Sequence, residues 1–118
     1  MAADLYPDAD WLHVSLLTGC TGLRLAGEAD IHTAEILRSA IAGLPAAAPE
    51  IHLQLTSLDF IDVAAGRQLA ALAERPARPK VILHYPPPAL VRLLGLLWPD
   101  TLDRVSVCGE RAVRQDST

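Results

Sequence analysis

Few side chains in this sequence are able to do chemistry, and they stand apart. Four histidines (His13, His32, His52 and His84) and two cysteines (Cys20 and Cys108) are the candidate metal ligands and nucleophiles. Metal sites written in sequence repeat such residues at short spacings, as in paired cysteines or two histidines four apart on one helix face. None of the histidines has such a partner, and neither cysteine stands beside a basic group that would hold it as a thiolate. The seven glycines fall at turns and element ends and do not form a phosphate-cradling pattern. No GxSxG elbow is present. The chain is therefore expected to be neither an enzyme nor a metal or cofactor protein.

Two acids are better placed. Asp30 in "GEADIHTAE" and Asp62 in "LDFIDVAAG" each stand where a strand pattern gives way to a helical one. A carboxylate there accepts the orphan N–H groups of the first helical turn, worth roughly 1 kcal/mol, and faces the positive end of the helix dipole. In an open α/β sheet such corners also lie on the edge where recognition occurs. Asp30, Thr33, Asp62, Val63, Ala64 and Arg67 are thus the expected partner-contact residues, with Arg67 one turn beyond Asp62.

These corners need particular elements to position them. Leu12, Val14 and Leu16 alternate with His13 and Ser15, a strand pattern, and "LRLAG" resumes it after a glycine-containing turn at residues 18–22, so a hairpin is expected. Ile36, Leu37, Ala40, Ile41 and Leu44 recur at helical spacing, with Asp30, His32 or Thr33 as the cap, and "LPAAAP" ends that helix. "EIHLQLTSL" alternates as one strand, and Phe60 and Ile61 read as the end of a buried strand. A second helix follows with Leu69, Leu72 and Ala73 inward. "KVILHY" is continuously apolar and is expected at the sheet centre. "PPPALVRLLGLLWPD" opens with prolines suited to a first helical turn, with Leu90, Leu93, Leu94 and Leu97 inward. "RVSVC" is the last strand. The order β-β-α-β-α-β-α-β predicts an α/β domain over residues 11–108, a mixed sheet with helices packed against it. A flexible arm is expected over residues 1–10 and a polar tail over 109–118.

Composition narrows the class. A chain of 118 residues is one domain. Net charge is −4 and the basic residues do not cluster, so no nucleic-acid footprint is expected; the arginines read as solvated surface. The start lacks a basic segment followed by an apolar run, and the longest apolar stretch is interrupted by Arg92 and Gly95. A cytoplasmic protein with no membrane contact is the expectation. Cys20 and Cys108 are then expected as free thiols packed like small hydrophobes.

Three segments, "LRLAGEADIHTAEILRSAI", "IHLQLTSLDFIDVAAGRQLAAL" and "VILHYPPPALVRLLGLLWPD", resemble the STAS domain of bacterial anti-sigma factor antagonists. The resemblance covers about residues 12–108 and rests on the "GEAD" turn, the acid after "FI" and the helix that follows. It implies a mixed sheet with helices packed on one side. It also implies a non-catalytic signalling module whose partner is an anti-sigma factor or histidine-kinase-like ATPase, or a sensory-domain protein. In that family the residue after the acid is often a serine or threonine that the partner kinase phosphorylates. Val63 holds that place here, and Ala64 follows it, so no phosphorylation is expected at this corner and docking is expected to be constitutive. Thr33, Thr56 and Ser57 are nearby hydroxyls with ordinary cap or turn roles. The alternative function is a ligand-sensing STAS domain with a nucleotide or small apolar molecule at the same edge, walled by residues 90–98.

Overall fold

The computed structural model describes residues 11–109; the expected arm and all of the expected tail beyond Gly109 lie outside the described residues. The elements are β1 (Leu12–Leu16), β2 (Gly22–Ala29), α1 (Ala34–Ala42), β3 (Glu50–Gln54), β4 (Leu58–Ile61), α2 (Val63–Ala73), β5 (Lys80–His84), α3 (Pro88–Leu97), α4 (Pro99–Asp103) and β6 (Val105–Cys108). Compared with the expected order, β4 and the short α4 are additional.

β1 and β2 form the expected antiparallel hairpin, with Leu16 opposite Leu23 and Leu12 opposite Gly27. The other pairings are parallel, and the sheet runs β1-β2-β3-β5-β6 with β4 joined to β2. β5 is an inner strand, as its continuous apolar run requires. β2 is long enough to take two partners in series along one edge: residues 22–24 pair with β3 and residues 27–29 with β4. The expected single strand "EIHLQLTSL" is therefore broken. It leaves the ladder after Gln54, where the Leu58 N–H bonds back to the Leu55 carbonyl at 3.0 Å, and restarts as β4.

Packing follows the strand period. Leu23, Leu25, Ile51, Leu53, Val81 and Leu83 are all buried on one face and meet the helices, while their strand neighbours Arg24 and Lys80 stay exposed. Each fully buried leucine or isoleucine contributes about 1.5–3 kcal/mol relative to exposure. Leu37 and Ala40 are the buried face of α1, continued by Leu44 just beyond its end, and Leu69, Leu72 and Ala73 lie in that of α2, as their spacing predicts. In α3 the inward row is Leu90, Leu94 and Trp98, each four residues on, so Leu97 is 49% exposed instead of inward. Gly66 of α2 admits α3 closely: a Cβ there would stand 2.6 Å from Leu93 Cδ2.

Two arginines expected as solvated surface hold helix ends instead. Arg75 donates to the Ile41 carbonyl near the end of α1 at 2.7 Å and to the Pro45 carbonyl of the following turn at 3.1 Å. Arg104 does the same for α2 through the Ala73 carbonyl and pairs with Glu74 at 3.5 Å. Cys20 and Cys108 are free thiols, but both are exposed, not packed as small hydrophobes.

Gly27 combines a positive φ of +103° with a close backbone approach. A Cβ there would lie 2.1 Å from the Trp11 carbonyl oxygen, which accepts the Glu28 N–H. Gly27→Ala is expected to cost at least about 2 kcal/mol through strain and loss of the β1–β2 bond. Urea unfolding checks this, with Ala26→Gly as the control that leaves the contact intact.

Candidate functional site

β2 and β4 end side by side, with Ala29 opposite Ile61, so Asp30 and Asp62 leave the sheet together. The Asp62 N–H bonds the Ala29 carbonyl at 3.1 Å and closes that edge. The two corners expected from sequence are thus one corner.

Asp62 is the N-cap of α2. One carboxylate oxygen accepts the Ala65 N–H at 3.0 Å, and the other accepts the Ile31 N–H at 3.0 Å from the neighbouring loop. The carboxylate therefore both starts the helix and ties the two loops. Asp30 organises its own loop, its Oδ1 accepting the His32 N–H at 2.8 Å and the Thr33 N–H at 3.1 Å. Thr33 begins α1 but makes no side-chain cap bond to it. Its hydroxyl accepts the Asp30 N–H at 2.9 Å and lies 3.2 Å from the Glu28 carbonyl, and the residue is 1% exposed. A partner could not reach Thr33 without opening the loop, so its expected contact role is replaced by a structural one.

Val63 is 45% exposed at the first position of α2, with Ala64 half-buried behind it. Arg67 lies over Trp98, its guanidinium carbon 5.7 Å from the ring centroid, so it has a cation–π neighbour within the chain. The remaining hydroxyls belong to the β3–β4 loop. Thr56 bonds the Gln54 side chain and Ser57 accepts from Arg24 at 3.1 Å.

Two residues of this corner were not identified from sequence. Ile31 is 68% exposed in the loop before α1, and Phe60 is 50% exposed on β4. Phe60 was read as buried, and a bulge explains the difference. One step from Gly27 to Glu28 on β2 is matched by two steps from Leu58 to Phe60 on β4. The extra residue turns Phe60 out while leaving Leu58 and Ile61 in. Ile31, an apolar residue between polar ones in a loop, was the only visible sequence signal. Exposed Glu28 and Asp59 lie along the same strand pair, so the corner is an apolar centre with an acidic surround.

Elsewhere, an open groove of about 280 Å³ runs along the outer side of α2, lined by Arg67, Ala70, Ala71, Glu74, Trp98 and Thr101. Of the residues 90–98 expected to wall a ligand, only Trp98 lines it. No three His, Cys, Asp or Glu side chains converge as a metal site among the described residues, and no helix there is long and apolar enough to cross a membrane.

Asp62→Ala is expected to lower stability by about 1–2 kcal/mol, because two N–H groups lose their acceptor. Asp62→Asn keeps one acceptor oxygen and should cost less. Amide exchange separates the two functions of the carboxylate: Asn retains protection at Ala65 and loses it at Ile31, whereas Ala loses both.

No protein-family model matches this sequence, and no curated protein matches it. Among solved structures, the anti-sigma factor antagonist SpoIIAA in its unphosphorylated form is similar. The TM-score is 0.58 at 22% sequence identity, over 83% of this chain and 88% of that one. With a six-stranded mixed sheet and its helices arranged as described, the chain has the STAS fold seen in SpoIIAA.

Proposed function

We propose that this chain is a non-catalytic interaction module of a bacterial signalling system, docking an anti-sigma factor or histidine-kinase-like ATPase as an anti-sigma factor antagonist does. The observation that carries the reading is the corner of exposed Ile31, Phe60 and Val63 around a carboxylate whose two oxygens each hold a backbone N–H group. Exposed large apolar side chains on a rigid corner are the material of an interface centre, with the aromatic as its anchor. Glu28 and Asp59 supply an acidic rim and favour a partner whose facing rim is basic. A bound Asp62 serves geometry, not catalysis.

Docking in this reading is constitutive. A phosphate at the first position of α2 would bring about −1.5 to −2 charges into the apolar centre beside Asp62, and valine offers no oxygen to carry it. The STAS fold, shared at low identity with an anti-sigma factor antagonist, supports this class of partner.

Val63→Asp separates binding from folding, because an acid in a first helical turn is tolerated or slightly stabilising. Affinity capture from the native lysate is expected to retain an anti-sigma factor or ATPase on the wild type. Retention on Val63→Asp should fall at least about tenfold, the effect of 1.4 kcal/mol. Equal retention on both would sink the reading, as would a wild type that carries a small molecule and no protein. Val63→Ser, incubated with the captured ATPase and labelled ATP, is expected to take up label where the wild type does not. Docking without label would show that the loss of the switch extends beyond this one side chain.

A further inference from the structure

Among the described residues, helices cover only one face of the sheet. On the other face, adjacent central strands β3 and β5 carry a row of three ionisable side chains. Glu50 Oε1 lies 2.8 Å from His52 Nε2, and His52 Nδ1 lies 2.8 Å from His84 Nε2. The two rings meet edge to edge and nearly coplanar, with centroids 5.1 Å apart and planes 19° apart. His52 is opposite Ile82 in register, and His84 follows Ile82 by two residues on the same face. Ile82 is only 8% exposed although no helix among the described residues lies over that face. Its neighbours there are Lys80 and His84 on its own strand, His52 on β3 and Ser106 on β6.

Proton counting limits what this row can do. A contact of 2.8 Å between two ring nitrogens needs one N–H and one lone pair. His52 gives its Nε2 hydrogen to the Glu50 carboxylate, so in its neutral form Nδ1 is the acceptor and His84 Nε2 is the donor. A first added proton fits, on His84 Nδ1, and makes the shared bond charge-assisted. A second would have to go to His52 Nδ1, where it would meet the His84 hydrogen. The contact cannot survive with both rings charged, and the two cations also repel.

We propose that Glu50, His52 and His84 form a proton-operated latch on this face of the sheet, closed with up to one added proton and opened by the second. Opening separates the rings and uncovers Ile82, turning a closed polar row into an apolar spot between two cations. The other groups facing the row are Lys80 beside Glu50 in register, Cys108 beside His84, and Arg24 opposite Gln54 on β2. Arg24 is engaged with Ser57. The latch depends on the proton count of the two imidazoles beside Glu50.

The test uses the wild-type chain and a double-mutant cycle. At about pH 8, nitrogen-resolved NMR of the imidazoles is expected to show both rings carrying hydrogen on Nε2; on acidification, arrival of the second added proton and access of a soluble paramagnetic probe to the Ile82 methyls are expected to coincide. His52→Ala, His84→Ala and the double variant, unfolded in urea, are expected to give a coupling of about 2- to 12-fold in the folding constant at pH 8. That coupling should vanish or change sign once the second proton has arrived. A His52 hydrogen on Nδ1 at pH 8 would overturn the latch. So would two rings that titrate as independent groups, or a coupling that does not change with pH.

Discussion

A single carboxylate shared by two loops is the constraint on which this end of the molecule depends. β2 and β4 finish in register because the Asp62 N–H reaches the Ala29 carbonyl, and the Asp62 side chain then binds both departing chains. With each oxygen holding one backbone N–H group, the acid is fixed in place by the two loops it joins. What the corner offers outward is what surrounds the acid: Ile31 on one loop, Phe60 on the strand and Val63 on the helix. The corner's rigidity and its apolar character thus have the same origin.

The far ends of the helices are held by a different device. Arg75 reaches a carbonyl near the end of α1, and Arg104 reaches the last one of α2. A guanidinium can serve several carbonyls at once while its stem lies along apolar surface. Gly66 lets α3 approach α2, and Trp98 completes the row begun by Leu90 and Leu94. With the helix C-termini braced and their seams packed, the N-terminal corner stands on a stiff scaffold, as precise recognition requires.

The sheet has two unlike faces. Beneath the helices it is aliphatic, built from leucine, isoleucine and valine with almost no aromatic content. On the other side it carries charges, amides and the paired histidines, and Ile82 and Ser15 are nearly buried there. Among the described residues no second layer of helices lies over the central strands on that side. Hydrogen bonds among its polar side chains do part of the work that apolar packing does beneath the helices, and those bonds respond to protons where packing does not.

Most of the fold was legible in the sequence, because strand and helix periods report which residues face a core. The hairpin, the buried faces of α1 and α2, the inner place of β5 and the chain order apart from β4 and α4 all follow from that periodicity. The capping role of Asp62 was also legible, since an acid before a helix has a local partner three residues on. Less was legible where the determining neighbour is distant in the chain. Arginines spaced evenly along a sequence look alike until a carbonyl from another helix comes within reach of one. Thr33 reads as an accessible hydroxyl until the turn folds over it. His52 and His84 are 32 residues apart and meet only because β3 and β5 pair in one register. Phe60 and Ile61 read together as the end of a buried strand, and Phe60 lies outside because one extra residue in β4 reverses the faces. Local spacing by itself determined the elements and their inward stripes, because backbone geometry repeats along the chain. Tertiary structure alone decided the bulge, the shared carboxylate and the histidine pair, because each depends on a strand register that no local window contains.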